Sequence, residues 1–179
     1  MHAGRKGGLS RREALAAGTS ALIGATCNNW ETPTAPTVDQ LVAQVTLQIT
    51  EPANNSILLS PDIVVSGTYA PADFTDPVWV LVWPELAGNK GYPQSGNAGI
   101  GEPAIVDRSS QRWSVGTGLG GPPQFYDISV HFADPAASRR LSDILIEWTR
   151  ANFFPGLAPN ELPFGLHERH RIRIRRIDV

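Results

Sequence analysis

The sequence has little that could hold it together covalently or anchor it within a membrane. It contains one cysteine, Cys27, so no disulfide can form within the chain. No run of about 18 apolar residues occurs, which argues against a membrane-spanning helix. We find no cofactor-binding motif, so no cofactor is expected. The 179 residues must therefore rely on a hydrophobic core, and they are enough for one domain with a well-buried core.

Proline and glycine are abundant, whereas charge is unevenly distributed. The 15 prolines and 17 glycines follow no collagen-like period, which predicts many turns and short strands. Basic side chains crowd both ends of the chain. Residues 27–179 carry 11 of them against 16 acidic side chains, a net charge of −5. A domain of this sign is a poor binder of nucleic acid, so we expect no nucleic-acid partner.

Residues 1–27 have the three-part layout of an export signal peptide. A basic region is followed by the apolar stretch Ala14–Ala25, which is too short to span a bilayer, and then by small residues. The basic region ends in residues 10–15, SRREAL, which resemble the twin-arginine motif of bacterial exported proteins. The resemblance implies export of an already folded protein, whereas the alternative is a short amphipathic surface helix. The motif residues are Ser10, Arg11 and Arg12.

Cys27 directly follows the small residues 24–26, GAT. This arrangement resembles bacterial lipoproteins, whose mature chain begins at a lipid-modified cysteine. Residues 28–44 are rich in Thr and Pro in their first part and resemble a linker between such an anchor and a domain. Membrane contact would then occur through the lipid on Cys27. The alternative is cleavage near Ala25, which would leave Cys27 as a free thiol.

The chain from residue 45 onward predicts one domain of short strands. Partial alternation within Val38–Thr50 and the β-branched run Asp62–Tyr69 each indicate a strand. Val78–Trp83 is apolar at every position, as in a central strand buried on both faces. Phe125–Phe132 alternates between apolar residues, predicted to face inward, and polar residues.

A helix is expected near residues 135–152, between the last two strands. Asp134 followed by Pro135 is typical of a helix start, and apolar residues at 141, 144, 145 and 148 form one stripe. A final strand is predicted over Arg169–Ile177, with a bulge where the isoleucine spacing slips between 174 and 177. The glycine-rich segment Gly116–Pro123 is expected to be irregular.

These elements predict a mainly β fold, an antiparallel sandwich over residues 45–179 with one helix. Several motifs resemble bacterial extracytoplasmic immunoglobulin-like modules. They are residues 49–52 before a valine-rich strand, Val78–Pro84, Trp113, the glycine-rich loop, Phe125–Phe132 and residues 172–176. The resemblance implies an immunoglobulin-like β-sandwich, and such modules seldom carry catalysis.

Two sets of polar residues were considered as catalytic or metal sites. Asp127, Ser129 and His131 include the residue types of a hydrolase triad, but alternate side chains on a strand stand about 6.6 Å apart. Catalytic partners need contact at about 3 Å, so we interpret these residues as a solvated sheet face. His167 and His170 are predicted to point to opposite faces, and no further ligands complete a metal site. We expect neither catalytic nor metal-binding residues.

Arg171, Arg173 and Arg175 are predicted to line one face of the last strand. Such a basic row could receive phosphates, an acidic polysaccharide or the acidic surface of a partner. The alternative is protection of a sheet edge, with carboxylates such as Glu168 and Asp127 pairing with the arginines.

Aromatic residues outside the strands suggest a second type of site. Tyr92 and Trp113 are candidates for stacking against a ligand such as a sugar ring, although Trp113 also suits a core position. Trp79, Trp83 and Trp148 are expected in the core.

We therefore predict an exported, membrane-tethered, non-catalytic binding or accessory module of the cell envelope. Its partner would be an envelope protein or a polysaccharide. The alternatives are a carbohydrate-binding module, which predicts exposed coplanar aromatic rings near Tyr92, and a small secreted hydrolase, which requires a cleft with convergent polar groups.

Overall fold

The protein is represented by a computed structural model that describes residues 44–95 and 99–178. Within these ranges the chain is mainly β, with two sheets and a long α-helix between the last two strands. The strands are β1 (Thr46–Glu51), β2 (Ile57–Leu58), β3 (Asp62–Ala70), β4 (Val78–Pro84), β5 (Tyr92–Gln94), β6 (Ile105–Asp107), β7 (Arg112–Gly118), β8 (Phe125–Ala133) and β9 (Leu166–Arg176), and the helix is α1 (Pro135–Ala151). The predicted export residues Ser10, Arg11, Arg12 and Cys27 lie outside these ranges.

The two sheets form an antiparallel, sandwich-like arrangement, as predicted. The first sheet has the strand order β1-β3-β7-β6, and the second has the order β2-β9-β8-β4-β5. All described pairs are antiparallel except β2 with β9, which run parallel over two residues. The prediction that residues 116–123 are irregular is wrong for the first three of them. Val115 and Thr117 continue the inward alternation, so β7 extends to Gly118.

The main core lies between the two sheets and is formed by alternate residues of each strand. Leu47, Val65 and Trp113 project from the first sheet toward Ile128 and Ile172 of the second, and all five are buried. At Gly67 of β3 a methyl group would collide with the ring of Trp113, its partner in β7 of the same sheet, so glycine at this position lets the indole lie against β3. Alternation with a period of two therefore builds this core.

Strand β4 is buried on both faces, which confirms the prediction for a central strand. Val80 and its inward neighbours belong to the core between the sheets. Trp79, Leu81 and Trp83 point to the other face, where helix α1 covers them. The second sheet therefore has one layer on each side.

Helix α1 begins and ends with recognisable caps, and its existence confirms the prediction. The Asp134 side chain accepts a hydrogen bond from the Ala137 backbone N–H at 2.7 Å, and Pro135 occupies the first turn. Leu141, Ile144 and Leu145 form the buried stripe, while Trp148 is only half-buried. The helix packs this stripe on the outer face of the second sheet.

Strand β9 differs from its prediction in both extent and irregularity. It begins at Leu166, and its inward alternation continues through Arg176 without a slip. The bulge lies earlier: Val130 of β8 pairs with His170, whereas His131 pairs with Glu168, so Arg169 is an additional residue in β9. Within the described part of the chain, no helix combines the length and hydropathy needed to cross a membrane.

Candidate functional site

A cleft of about 690 Å³ opens beside β5, at the edge of the second sheet. Three parts of the chain enclose it: the turn after β4, the carboxyl end of helix α1 with the segment that follows it, and the glycine-rich loop after β7. The volume is within the range typical of small-molecule sites. The described lining residues are Val82, Pro84, Leu86, Ala87, Tyr92, Pro93, Gln94, Gly118, Gly120, Gly121, Pro122, Gln124, Leu145, Trp148 and Phe154.

One wall of the cleft is an aromatic cluster that includes the stacking candidate Tyr92. The ring of Trp148 lies 6.4 Å from that of Tyr92 and 6.2 Å from that of Phe154, and both pairs meet edge to face. Phe154 is 49% exposed and Leu86, elsewhere in the lining, is 69% exposed, so apolar side chains are open to solvent at this cleft. The assignment of Trp148 to the core was therefore incomplete, since its ring also lines the cleft.

The aromatic wall is held in place by hydrogen bonds between the segment after helix α1 and the turn before β5. Gly91 and Leu157 exchange two backbone hydrogen bonds of 2.8 and 2.9 Å, and Lys90 donates to the Pro155 carbonyl at 3.0 Å. Gly156 has a φ of +71°, and a side chain there would meet the ring of Tyr92. These contacts therefore fix the segment that follows Phe154 against the turn that precedes Tyr92.

The opposite wall is the loop after β7, whose carbonyls are held by two side chains. The Tyr126 hydroxyl lies within hydrogen-bonding distance of the carbonyl oxygens of Gly120 and Pro122, at 2.9 and 3.1 Å. The buried guanidinium of Arg176 donates to the carbonyls of Leu119 and Gly121. This wall is therefore preorganised despite its glycines.

The two glutamine side chains of the lining already bond to the protein. Gln94 accepts from the Gly118 N–H at 3.0 Å and donates to the Tyr92 carbonyl at 2.9 Å. Gln124 accepts from the Leu86 N–H at 2.7 Å and donates to the Pro122 carbonyl. None of the described lining residues is Asp, Glu, Lys, Arg or His, so this part of the cleft carries no formal charge.

Trp113, the second stacking candidate, is in the core between the sheets. It is 1% exposed, and its indole N–H donates to the Thr68 carbonyl at 3.2 Å. A ligand therefore has no access to its ring. Trp113 is a core residue.

Arg171, Arg173 and Arg175 share the exposed face of β9, as their spacing predicts. The guanidinium of Arg171 donates to both oxygens of Glu168 at 2.9 and 2.6 Å. That hydrogen bonding lowers the pKa of Glu168 and raises the pKa of Arg171. Asp127 lies 4.0 Å from Arg171.

Arg173 also pairs with carboxylates, whereas Arg175 does not within the described residues. Arg173 contacts Asp127 at 3.4 Å and forms an ion pair with Glu85. The guanidiniums of Arg173 and Arg175 lie 4.8 and 5.4 Å from the Phe125 ring. Pairing with carboxylates, the alternative that the sequence suggests, therefore accounts for Arg171 and Arg173, two of the three arginines.

Ser129 and His131 do not lie on a solvated face of the sheet, contrary to the prediction. We expected a solvated face and no contact between alternate residues, but Ser129 is 0% and His131 2% exposed, and Ser129 Oγ lies 2.8 Å from His131 Nε2. Both are buried on the outer face of the second sheet, where Ser129 Oγ accepts from the Trp83 indole at 2.8 Å. Rotation about the side-chain bonds lets the two atoms approach although their Cα atoms are two residues apart.

This buried pair is not arranged as a hydrolase site. His131 Nδ1 has no hydrogen-bond partner within the described residues, and Glu168 Oε2 lies 3.9 Å from Nε2, the nitrogen that already faces Ser129. Asp127 pairs with arginines instead. Burial lowers the pKa of His131 to about 4, which keeps the imidazole neutral at neutral pH. A substrate cannot reach Ser129 in this structure.

His167 and His170 lie on the same face of β9, contrary to the prediction. Their partners in β8, Phe132 and Val130, both face the core between the sheets, and the extra residue Arg169 changes the parity of the spacing. His167 stacks on Phe132 at 4.8 Å, and His170 Nδ1 accepts from the Ile49 N–H at 3.2 Å. Over residues 44–95 and 99–178, no group of three or more His, Cys, Asp or Glu side chains could hold a metal ion.

No known protein-family model matches the chain, and a comparison with curated proteins finds no match either. Its function must therefore be inferred from its own residues.

Proposed function

We propose that the protein is an exported, non-catalytic binding module of the cell envelope, tethered through Cys27, and that it binds its ligand in the cleft beside β5. The observation that carries this proposal is the cleft itself. It combines about 690 Å³ of space, an aromatic wall and a preorganised loop, which are properties of ligand sites. The export and the lipid anchor are supported by the sequence of residues 1–27.

The strand order supports the assignment to binding modules, because it can be aligned with that of immunoglobulin domains. In immunoglobulin domains one sheet contains strands A, B, E and D and the other contains G, F and C. If β1, β3, β7 and β6 are equated with A, B, E and D, then β9, β8 and β4 correspond to G, F and C. Tyr126, at the start of β8, bonds through its hydroxyl to carbonyls upstream, like the tyrosine corner of that fold. Helix α1 would then be an insertion between F and G.

The polar groups at the cleft favour binding over catalysis. Its glutamines are engaged with the backbone, and Ser129 and His131 are buried elsewhere under neighbouring side chains. A nucleophile with an adjacent base in contact with the cleft would be needed for hydrolysis.

A flat sugar-binding platform receives little support from the orientation of the aromatic rings. The rings of Tyr92 and Trp148 are inclined by 60°, and those of Trp148 and Phe154 by 78°. Stacking of a sugar ring calls for exposed faces that are nearly coplanar. We therefore propose that these rings do not act as a flat stacking surface for a sugar.

Ligand binding at the cleft can be tested by thermal unfolding of the full chain with fractions of an envelope extract. A ligand present at about 100 times its Kd stabilises the folded state by about 2.7 kcal/mol, which raises Tm measurably. We expect the shift to disappear in Phe154→Ser and to persist in Phe153→Ser, because only the first of these neighbours lines the cleft. A shift of equal size in both variants would contradict the proposed site.

Export and anchoring can be tested independently in cells. The double substitution Arg11→Lys with Arg12→Lys should retain the chain in the cytoplasm, whereas Cys27→Ala should abolish incorporation of labelled fatty acid without blocking export. Cell fractionation and lipid labelling measure the two effects. Export that survives the arginine substitutions would exclude the twin-arginine route, and labelling that survives Cys27→Ala would exclude this anchor.

A further inference from the structure

We propose that the cleft selects an uncharged, largely apolar small molecule, one with an aromatic or aliphatic body and at most one polar group directed to Tyr92. This inference rests on the proposed function, because it names the ligand class of the same site.

The first argument is the lack of charge in the described lining. Its fifteen residues include neither an acidic nor a basic side chain, so they offer no counter-ion to a charged ligand. Moving a charged group from water into such surroundings without a partner is strongly unfavourable. Charged ligands are therefore disfavoured by electrostatics.

The second argument is the hydrogen bonding already present at the cleft. Each glutamine of the lining both accepts from a backbone N–H and donates to a carbonyl, so neither amide must gain a ligand bond to be satisfied. Within the described residues the hydroxyl of Tyr92 has no hydrogen-bond partner. A ligand rich in hydroxyl groups would lose its bonds to water and find few replacements here.

The third argument is the exposure of apolar surface. Leu86 and Phe154 both leave about half or more of their surface in contact with water. Covering these side chains gains about 25 cal/mol for each Å² removed from water. The free energy of binding is therefore expected to come mainly from apolar contact.

A matched pair of fluorescent probes tests this inference on the full chain. N-phenyl-naphthylamine is uncharged at neutral pH, and anilinonaphthalene sulfonate has the same ring system with an added sulfonate. Both gain fluorescence in apolar surroundings, so titration gives their affinity and stoichiometry. We expect one site for the uncharged probe and binding of the sulfonate that is weaker on the order of tenfold or more.

Two matched pairs of variants locate the binding. Phe154→Ser and Leu86→Ser change exposed lining residues, whereas Phe153→Ser and Leu59→Ser change residues of similar exposure outside the lining. We expect the uncharged probe to lose affinity on the order of tenfold in each lining variant and to keep it in each control. Because all four side chains are exposed, the variants should fold, and far-UV circular dichroism verifies this.

The possible results separate this inference from the proposed function. Equal affinity for the two probes, with binding still lost in the lining variants, would overturn the uncharged ligand class and leave the cleft as the site. Absence of binding by either probe, or binding unaffected by the lining variants, would overturn the inference and count against the proposed site as well.

Discussion

The second sheet is covered on its inner face by the first sheet and on part of its outer face by helix α1, and different chemistry holds the layers on each side. The inner face meets the first sheet through apolar side chains such as Val80 and Ile128. The outer face meets helix α1 through large tryptophans that also form hydrogen bonds: Trp79 donates to Ser138 at 3.0 Å, and Trp83 donates to Ser129 at 2.8 Å. The outer face also buries a titratable group, His131, whose imidazole contacts the hydroxyl of Ser129.

The difference shows how polar residues become buried without being part of a site. Tryptophan offers a large apolar ring with one N–H, and that N–H must find an acceptor when the ring is buried. Serine hydroxyls of β8 and helix α1 provide the acceptors. Ser129 of β8 therefore satisfies a buried tryptophan rather than facing water.

The largest expected effect comes from the inner face. Ile128→Ala should lower the free energy of unfolding by about 2 to 5 kcal/mol, because it leaves a cavity where the side chain is 0% exposed. Denaturant titration measures the loss. Ile105→Ala, at a residue that is 45% exposed, is the control and should change stability by about 0.5 kcal/mol or less. Equal losses in the two variants would contradict the layered core.

An intermediate effect on stability is expected when the pH is lowered, because His131 is buried on the outer face. Burial lowers the pKa of His131 from 6.5 to about 4; nearby Glu168 opposes this shift, while Arg171 and His167 add to it. Between these values the unfolded chain binds a proton that the folded chain does not, so stability falls as the pH falls. The expected loss is about 2 kcal/mol between pH 7 and 5.

Chemical unfolding at a series of pH values measures this dependence. In His131→Gln the slope between pH 7 and 5 should largely vanish, since the titrating group is gone. The carboxylates with lowered pKa values, Glu168 and Asp107, protonate below this range. A stability that does not change from pH 7 to 5 in the unsubstituted protein would show that His131 is not buried as a neutral group.

The smallest effect is expected from the arginine row on the exposed part of the same face. Arg173→Ser removes contacts with Glu85 and Asp127, but the charged groups are about one-third to one-half exposed. Such surface pairs contribute about 0 to 1 kcal/mol. The loss in denaturant titrations should shrink further in high salt, because salt screens exposed charges. A loss as large as that of Ile128→Ala would mean that this row is part of the core.

Much of the sandwich could be predicted from the sequence because its signals are local. The all-apolar run of β4, the alternation of β8 and the start of helix α1 at Asp134 each reflect a few neighbouring residues, and the structure contains all three. The start of β9 was misplaced because Glu168 and Arg169 interrupt the apolar alternation. The sequence patterns therefore predicted the existence of these elements more reliably than the residues at which they begin.

The cleft was harder to predict because it depends on segments far apart in the chain. Tyr92 was singled out, but Trp148 was assigned to the core and Phe154 was not considered. A signal was present, since two phenylalanines follow the helix after Asn152 and precede Pro155 and Gly156. That they meet Tyr92 depends on how helix α1 packs against the sheet, which no local pattern specifies.

The bulge at Arg169 has a consequence for changes in chain length. A deletion inside a regular strand turns every following side chain to the opposite face of the sheet. Removal of Arg169 would instead bring Glu168 next to His170, and each would keep its present partner in β8. Strand β9 is therefore one residue longer than its pairing requires, and Arg169 is the position at which it can shorten without exchanging its two faces.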